Sequence, residues 1–367
     1  MLALSVISLA GMAQLSTPPG GGSQKSFVKQ RIGGVGYVAV EYSSPGVRER
    51  TIFGGIVPYG FNNLGFGLSS ADNPSPWRAG ADQNTTFTFS HDVKIEGQDL
   101  TAGKYGFFVA PAEEGAWTVI FSNDNNHWGS FFYKEENDAL RVEVDAEDAS
   151  HHEWLTYEFI DRQSTSTTVA LMWADKKLPI KIELADPVGA HMAQIESELN
   201  NQPGFSFQNL MTAARYASGA GEHEKAIQWA EAAISAPFIG QRNWGTLSTK
   251  GFVLNAAGKS DEATAVMDEA INEPTATAGA IHQYGRQLIG AGKNEKALEV
   301  FKLNHKKNDG AWPTNYGLAR GYSANGNYKQ AIKYLELAKK NVPAGDTVNP
   351  PIIDQNIEKL KKGEDIN

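Results

Sequence analysis

The chain has 367 residues, enough for two domains with full cores, and carries a formal net charge of −9 with an isoelectric point near 5.5. That balance argues against non-specific binding to nucleic acid or anionic membrane, which needs a basic surface. The absence of cysteine excludes disulfides, thiolate zinc sites, iron–sulfur clusters, a cysteine nucleophile and a lipid anchor through an N-terminal cysteine.

Residues 2–9 form a short apolar run, followed by Ala10-Gly11-Met12-Ala13 with small residues two apart. The run is too short to span a bilayer. It reads as a secretory signal peptide over 1–13, although no Lys or Arg precedes it; the alternative is a buried N-terminal strand or helix. Residues 14–36 read as a spacer, rich in Pro, Gly and Ser over 17–23. No later segment has the length and apolarity of a membrane span.

From 37 to 186 the pattern is strand-like. Short runs rich in β-branched and aromatic residues fall at 37–42, 85–89, 105–109, 117–121, 140–144, 154–160, 167–173 and 178–184. Turn signals such as Glu96-Gly97, Ala102-Gly103 and Glu114-Gly115 separate them. Many short strands without intervening helices predict an antiparallel β-sandwich, jelly-roll-like, and exclude a parallel α/β sheet.

After Asp186-Pro187 alanine, lysine and glutamate rise and apolar residues recur at helical spacing. Gly221, Gly258, Gly292 and Gly326 stand 37, 34 and 34 residues apart, each followed five residues later by Ala226, Ala263, Ala297 or Ala331. Seven residues before each glycine stands a small residue: Ala214, Gly251, Gly285, Ala319. Seven residues after the alanines come Ala233, Ala270, Asn304 and Ala338, with Asn304 the one departure. Small residues in this phase let two helices cross closely, and the glycine suits a left-handed cap on the first helix of each pair.

This pattern resembles the tetratricopeptide (TPR) family. It implies four helical hairpins over 187–367, with a capping helix at 350–362. The whole chain is thus expected to be an α+β multidomain protein: a β-sandwich followed by an all-α TPR solenoid. In the TPR fold the residue after the small helix-A position faces the concave groove, which places Arg215, Phe252, Arg286 and Arg320 there, with Asn255, His282 and Tyr316 nearby. Arginines of this kind suit an acidic or C-terminal peptide segment. The structural alternative is that they pair with carboxylates on neighbouring repeats.

The β-rich half resembles a bacterial family catalogued only as a domain of unknown function, numbered 2911. The resemblance is carried by Arg50-Thr51-Ile52-Phe53-Gly54-Gly55-Ile56-Val57-Pro58-Tyr59-Gly60, Trp77-Arg78-Ala79-Gly80-Ala81-Asp82, Leu100-Thr101-Ala102-Gly103-Lys104-Tyr105, Trp117-Thr118-Val119-Ile120-Phe121 and Trp128-Gly129. It implies an exported, envelope-associated protein without assigned activity, so the expected location is periplasmic or extracellular in a Gram-negative bacterium. The family runs almost directly from its Pro-Tyr-Gly element to its Trp-Arg element, whereas residues 61–76 intervene here, and it tends to have Asn where Asp82 stands.

Within 59–84, Tyr59, Trp77, Arg78, Asp82 and Asn84, together with Trp128, could stack and orient a sugar or peptide. The competing reading packs Trp77 in the core and pairs Arg78 with Asp82 across a turn at Gly80. His151-His152-Glu153 reads as a solvated turn, since nothing supplies the remaining metal ligands. No phosphate loop and no Gly-x-Ser-x-Gly elbow appears, and neither cofactor nor metal is expected. The expected function is an exported binding and scaffolding protein, with protein or peptide partners in the TPR groove and a ligand on the β-domain. The rivals are a hydrolase acting on a glycan or peptide, and a carbohydrate-binding module.

Overall fold

The computed structural model describes residues 22–367, so the signal-peptide reading of 1–13 lies outside the described residues. The chain divides into two compact units, Met1–Gln194 and Ile195–Asn367.

In the first unit β1 (Gln24–Ile32), β2 (Gly36–Ser44), β3 (Thr85–Phe89), β6 (Gly103–Ala110), β7 (Trp117–Ser122) and β8 (Asp138–Val144) form one sheet in that order. The second sheet runs β5 (Gln98–Leu100), β4 (Val93–Ile95), β10 (Ser166–Leu184), β9 (Glu147–Arg162). All pairings are antiparallel. The core follows from alternation along the strands. In β3 the pattern Thr-Thr-Phe-Thr-Phe turns Phe87 and Phe89 inward, where Phe87 meets Phe107 of β6 at 4.5 Å between ring centroids. Phe107 meets Phe121 of β7 at 5.3 Å. β6 is buried on its other face as well: Phe108 joins Ile120 and Tyr133 in a satellite cluster against Phe61. Residues 61–76 therefore cover part of a sheet face.

Four departures from the sequence reading have local causes. The stretch read as a spacer, 14–36, contains β1, which pairs with β2 from Gln24 to Ile32; its Lys and Arg residues obscured the alternation. The runs 167–173 and 178–184 belong to one strand, β10. Between them Lys176 and Lys177 pair with Asp148 and Glu147 of β9, each at 2.6 Å, so the charged strip continues the hairpin instead of ending it. The turn read at 151–153 is part of β9. β4 and β5, three residues each, were too short to show a period, but Glu96 and Gly97 do turn between them, both at positive φ.

α1 (Pro187–Leu199) leads into the second unit. Four hairpins follow: α2 (Phe207–Gly219) with α3 (His223–Ser235), α4 (Trp244–Ala256) with α5 (Ser260–Ala270), α6 (Ala278–Gly290) with α7 (Asn294–Lys307), and α8 (Trp312–Ala324) with α9 (Tyr328–Asn341). α10 (Asn349–Lys361) packs on α9. The recurring small residues are buried at the helix crossings, and Gly221, Gly258, Gly292 and Gly326 all adopt left-handed φ between 72° and 84°. The departure at Asn304 is resolved by hydrogen bonding: its buried amide donates to the Ala278 carbonyl at 2.9 Å and accepts from Asn308.

Stacking is uneven. α3 packs on α4 and α7 on α8, whereas α6 approaches neither α4 nor α5 closely. The cause is visible in register. α4 carries Thr249 and Val253, both fully buried, and α8 carries Gly317 and Gly321 at the two positions that nestle against the preceding hairpin. A side chain at Gly321 would come within 3.1 Å of the Leu298 backbone. The equivalent residues of α6 are Gln283 and Gln287, both exposed. Across this split Lys296 bonds Asp268 and Lys307 bonds the Ile271 carbonyl, each at 2.8 Å, so α5 and α7 remain tied.

Candidate functional site

In the β-unit Trp77, Arg78 and Asp82 share one turn and serve mainly as structure, while Asn84 binds a separate loop. Trp77 bridges Val109 through its backbone and stacks on Trp173 at 5.7 Å, with Phe53 against its edge. Arg78 donates to the Asp82 backbone carbonyl at 2.7 Å, rather than to its carboxylate, and lies over the Phe131 ring. Burial lowers the Arg78 pKa, with the Asp82 charge opposing. The turn itself places Ala79 and Asp82 at positive φ. Gly80 is required by crowding, since a Cβ there would lie 2.7 Å from Thr85 Oγ1. The Ala79 carbonyl accepts from both Thr85 and Tyr157, anchoring the turn in the core. Asn84 is buried; it donates to the Asp124 carbonyl and accepts from the His127 amide.

Tyr59 and Trp128 do not line the cleft beside this turn. That cleft, about 310 Å³, is bounded by Arg48, Arg50, Ile56, Trp77, Arg78 and Trp173. The sequence reading missed Arg48 and Arg50, although Arg50 opens the first family element. The Arg50 guanidinium is committed to the Val47 and Gly46 carbonyls. Trp128 stands out with 55% of its surface exposed, while Trp77 is occupied by its stack, so the two indoles form no joint platform.

The 61–76 segment is pinned on the 131–133 loop: Asn73 donates to the Tyr133 carbonyl and Leu68 to that of Phe131. Below it Tyr133 and Arg141 both donate to Asp138 Oδ2 at 2.6 Å. Burial raises the pKa of Tyr133 and of Asp138. These groups line none of the clefts described here; Asp138 Oδ2 takes both bonds, while its Oδ1 is buried without a partner among the described residues. His151 lies on β9, 3.6 Å from Glu153 and 3.5 Å from Asp175. Among the described residues no group of three or more His, Asp or Glu is placed to hold a metal ion.

In the helical unit Arg215 is exposed and reaches from α2 to Thr249 Oγ1 of α4 at 2.9 Å. Arg320 lies over the Tyr316 ring and donates to the Ile366 carbonyl and the Asn367 side chain. Tyr316 accepts from Asn356 of α10 at 2.7 Å. The C-terminal residues therefore cover this end of the predicted groove. Arg286 is exposed and forms no hydrogen bond or ion pair among the described residues. His282, between α6 and α8, has its pKa lowered to about 4 by burial, then by the Arg320 and Arg286 charges. None of the three arginines pairs with a carboxylate among the described residues.

Asn255 and Phe252 line a different feature, a cleft of about 740 Å³ where the array splits between α4, α5 and α6. Its deeper wall is Met267, Tyr284 and Leu288, and Gln283 and Gln287 face it from α6. Sequence reasoning missed it, although comparing 283 and 287 with their counterparts in the other repeats carries the signal.

Comparison with known proteins bears on each unit separately. The β-unit matches DUF2911. The family model, described as a protein of unknown function, spans residues 23–182 and so covers nearly the whole DUF2911-like sandwich, β1 included. No curated protein matches the chain. Among solved structures, YrrB, a TPR protein with an unusual peptide-binding site, is 18% identical, covering 47% of this chain and 84% of its own, with a TM-score of 0.31. A tetratricopeptide repeat protein from Parabacteroides merdae is 14% identical over 48% of this chain and 67% of its own, with a TM-score of 0.34. The C-terminal part of a TPR repeat-containing protein from Cytophaga hutchinsonii is 15% identical over 49% of this chain and 66% of its own, with a TM-score of 0.36. After the DUF2911-like sandwich in the chain, the helices form four hairpins in a TPR-like arrangement.

Proposed function

We propose that this is an exported binding and scaffolding protein whose helix-A faces receive an acidic segment of a protein partner. The observation that carries the reading is Arg286: an exposed guanidinium without a carboxylate partner, near His282 and Arg320, in a chain whose net charge is −9. A free guanidinium fork fits a carboxylate in two-pronged fashion. Export is part of the proposal and is supported by the apolar run and small residues of 2–13. The β-domain would then hold a second ligand or an envelope partner.

The test is titration of the full chain with a synthetic decapeptide rich in Asp and Glu. A charge-assisted hydrogen bond contributes about 1.5–3 kcal/mol, so Arg286→Ala should weaken binding roughly tenfold or more. Arg286 is exposed, so the thermal midpoint should stay unchanged. Equal affinity in the two proteins removes the reading.

A further inference from the structure

We propose that the split between the second and third hairpins is a binding cleft for an extended, uncharged peptide segment, seating one bulky apolar side chain. This rests on the reading above in one respect, that the segment belongs to a protein partner lying on the helix-A faces.

The cleft exists because of the residues on α6. At both other junctions the positions that meet the preceding hairpin are buried and small or β-branched: Thr249 and Val253, then Gly317 and Gly321. Gln283 and Gln287 cannot enter that interface without desolvating two amides. They hold α6 away, and about 740 Å³ opens beside them. That volume is within the range of roughly 300–1,000 Å³ typical of ligand sites.

The lining favours a peptide. Met267, Tyr284 and Leu288 supply an apolar, partly aromatic floor. Among the described residues no carboxylate borders the cleft, and its one cationic side chain, Lys293, lies 3.5 Å from Thr264 Oγ1. Among the described residues the Gln283 and Gln287 amides form no hydrogen bond. They stand one helical turn apart, about 6 Å along the axis. An extended chain advances about 6.6 Å every second residue. Each glutamine can therefore pair with every second backbone amide of a strand laid along α6, and Asn255 faces the same space from α4. Phe252, at 56% exposed, is a large apolar side chain at the mouth, ready to be covered by the segment's side chain.

The experiment uses the full chain and two blocked tripeptides, acetyl-Ala-Leu-Ala-amide and acetyl-Ala-Gly-Ala-amide, followed by NMR. The leucine peptide should bind saturably in the millimolar range, and the glycine peptide at least tenfold more weakly. Combining Gln283→Thr with Gln287→Val, the residues α4 uses, should close the split, abolish binding and raise the melting temperature. Phe252→Ala, at an exposed position, gives a second variant with an expected tenfold loss. Equal binding of the two peptides, or binding unchanged in both variants, overturns the proposal. So does saturable binding of chitotriose without a response to the leucine peptide. Leucine-peptide binding that survives in Arg286→Ala, while the acidic decapeptide shows no dependence on Arg286, keeps the cleft and sinks the charged groove. The reverse pattern keeps the groove and overturns the cleft.

Discussion

Gly251 and Gly285 occupy the same position in successive repeats, yet replacing each by alanine should act in opposite directions. Alanine in a helix interior is favoured over glycine by roughly 0.5–1 kcal/mol, and both positions gain that term. The neighbours differ. A Cβ on Gly285 would lie 2.6 Å from Phe301 Cζ and 2.7 Å from Cε1. Phe301 cannot yield: it is fully buried, with Gly317 and Gly321 closing on its other edges and the His282 ring at 5.4 Å. Overpacking of this kind costs about 1–3 kcal/mol, so Gly285→Ala should be net destabilising by roughly 0.5–2 kcal/mol. A Cβ on Gly251 meets Met267 instead, 2.8 Å from Sδ. That flexible thioether borders the 740 Å³ cleft and can swing into it. Gly251→Ala should therefore be neutral or stabilising by up to about 1 kcal/mol. Urea unfolding of the two variants decides the matter, read as a midpoint change at constant slope. Equal costs at the two sites would refute the claim that the array is packed tightly on one side of the split and loosely on the other.

Two further outcomes follow from single side chains. His282 has a folded pKa of about 4 against 6.5 for the free group, so the unfolded chain binds the extra proton between those values. Its contribution to stability is thus full above pH 6.5 and is lost as the pH falls through about 4. It amounts to roughly 1–2 kcal/mol after discounting the solvent-facing part of the ring, and His282→Gln should flatten that portion of the stability profile measured by denaturant unfolding. In the β-unit, Asn84→Ala removes a buried amide and leaves the part-buried Asp124 carbonyl and His127 amide without their partner, and should cost about 1–3 kcal/mol, whereas Trp128→Ala, at an exposed ring, should stay within about 0.5 kcal/mol in the same assay.

How much of this was legible beforehand depended on whether the information was periodic. Ala214, Gly251, Gly285 and Ala319 announce the hairpins because small residues recur in fixed phase, and each is buried where a partner helix crosses. The sandwich was readable from alternation in elements such as β3, and failed where alternation was too short, as in β4 and β5, or masked by charge, as in β1. The sites were harder, because they depend on contacts between residues distant in sequence. Nothing around Tyr316 or Arg320 discloses that Asn356 and Ile366 reach them. Nothing near Trp77 discloses Trp173. Gln283 and Gln287 were visible in register, but their meaning comes only from comparison with Thr249, Val253, Gly317 and Gly321.

A solenoid holds together through the coupling of each unit to the next. With the α5–α6 junction weakened, the helical half should melt and exchange its amides as two domains of cooperativity, joined by the Lys296–Asp268 and Lys307–Ile271 ties and the apolar contacts around Ile271, with protection differing on either side of residue 277. Whatever fills the junction would fuse those domains into one, converting occupancy at a single locus into rigidity throughout the helical half.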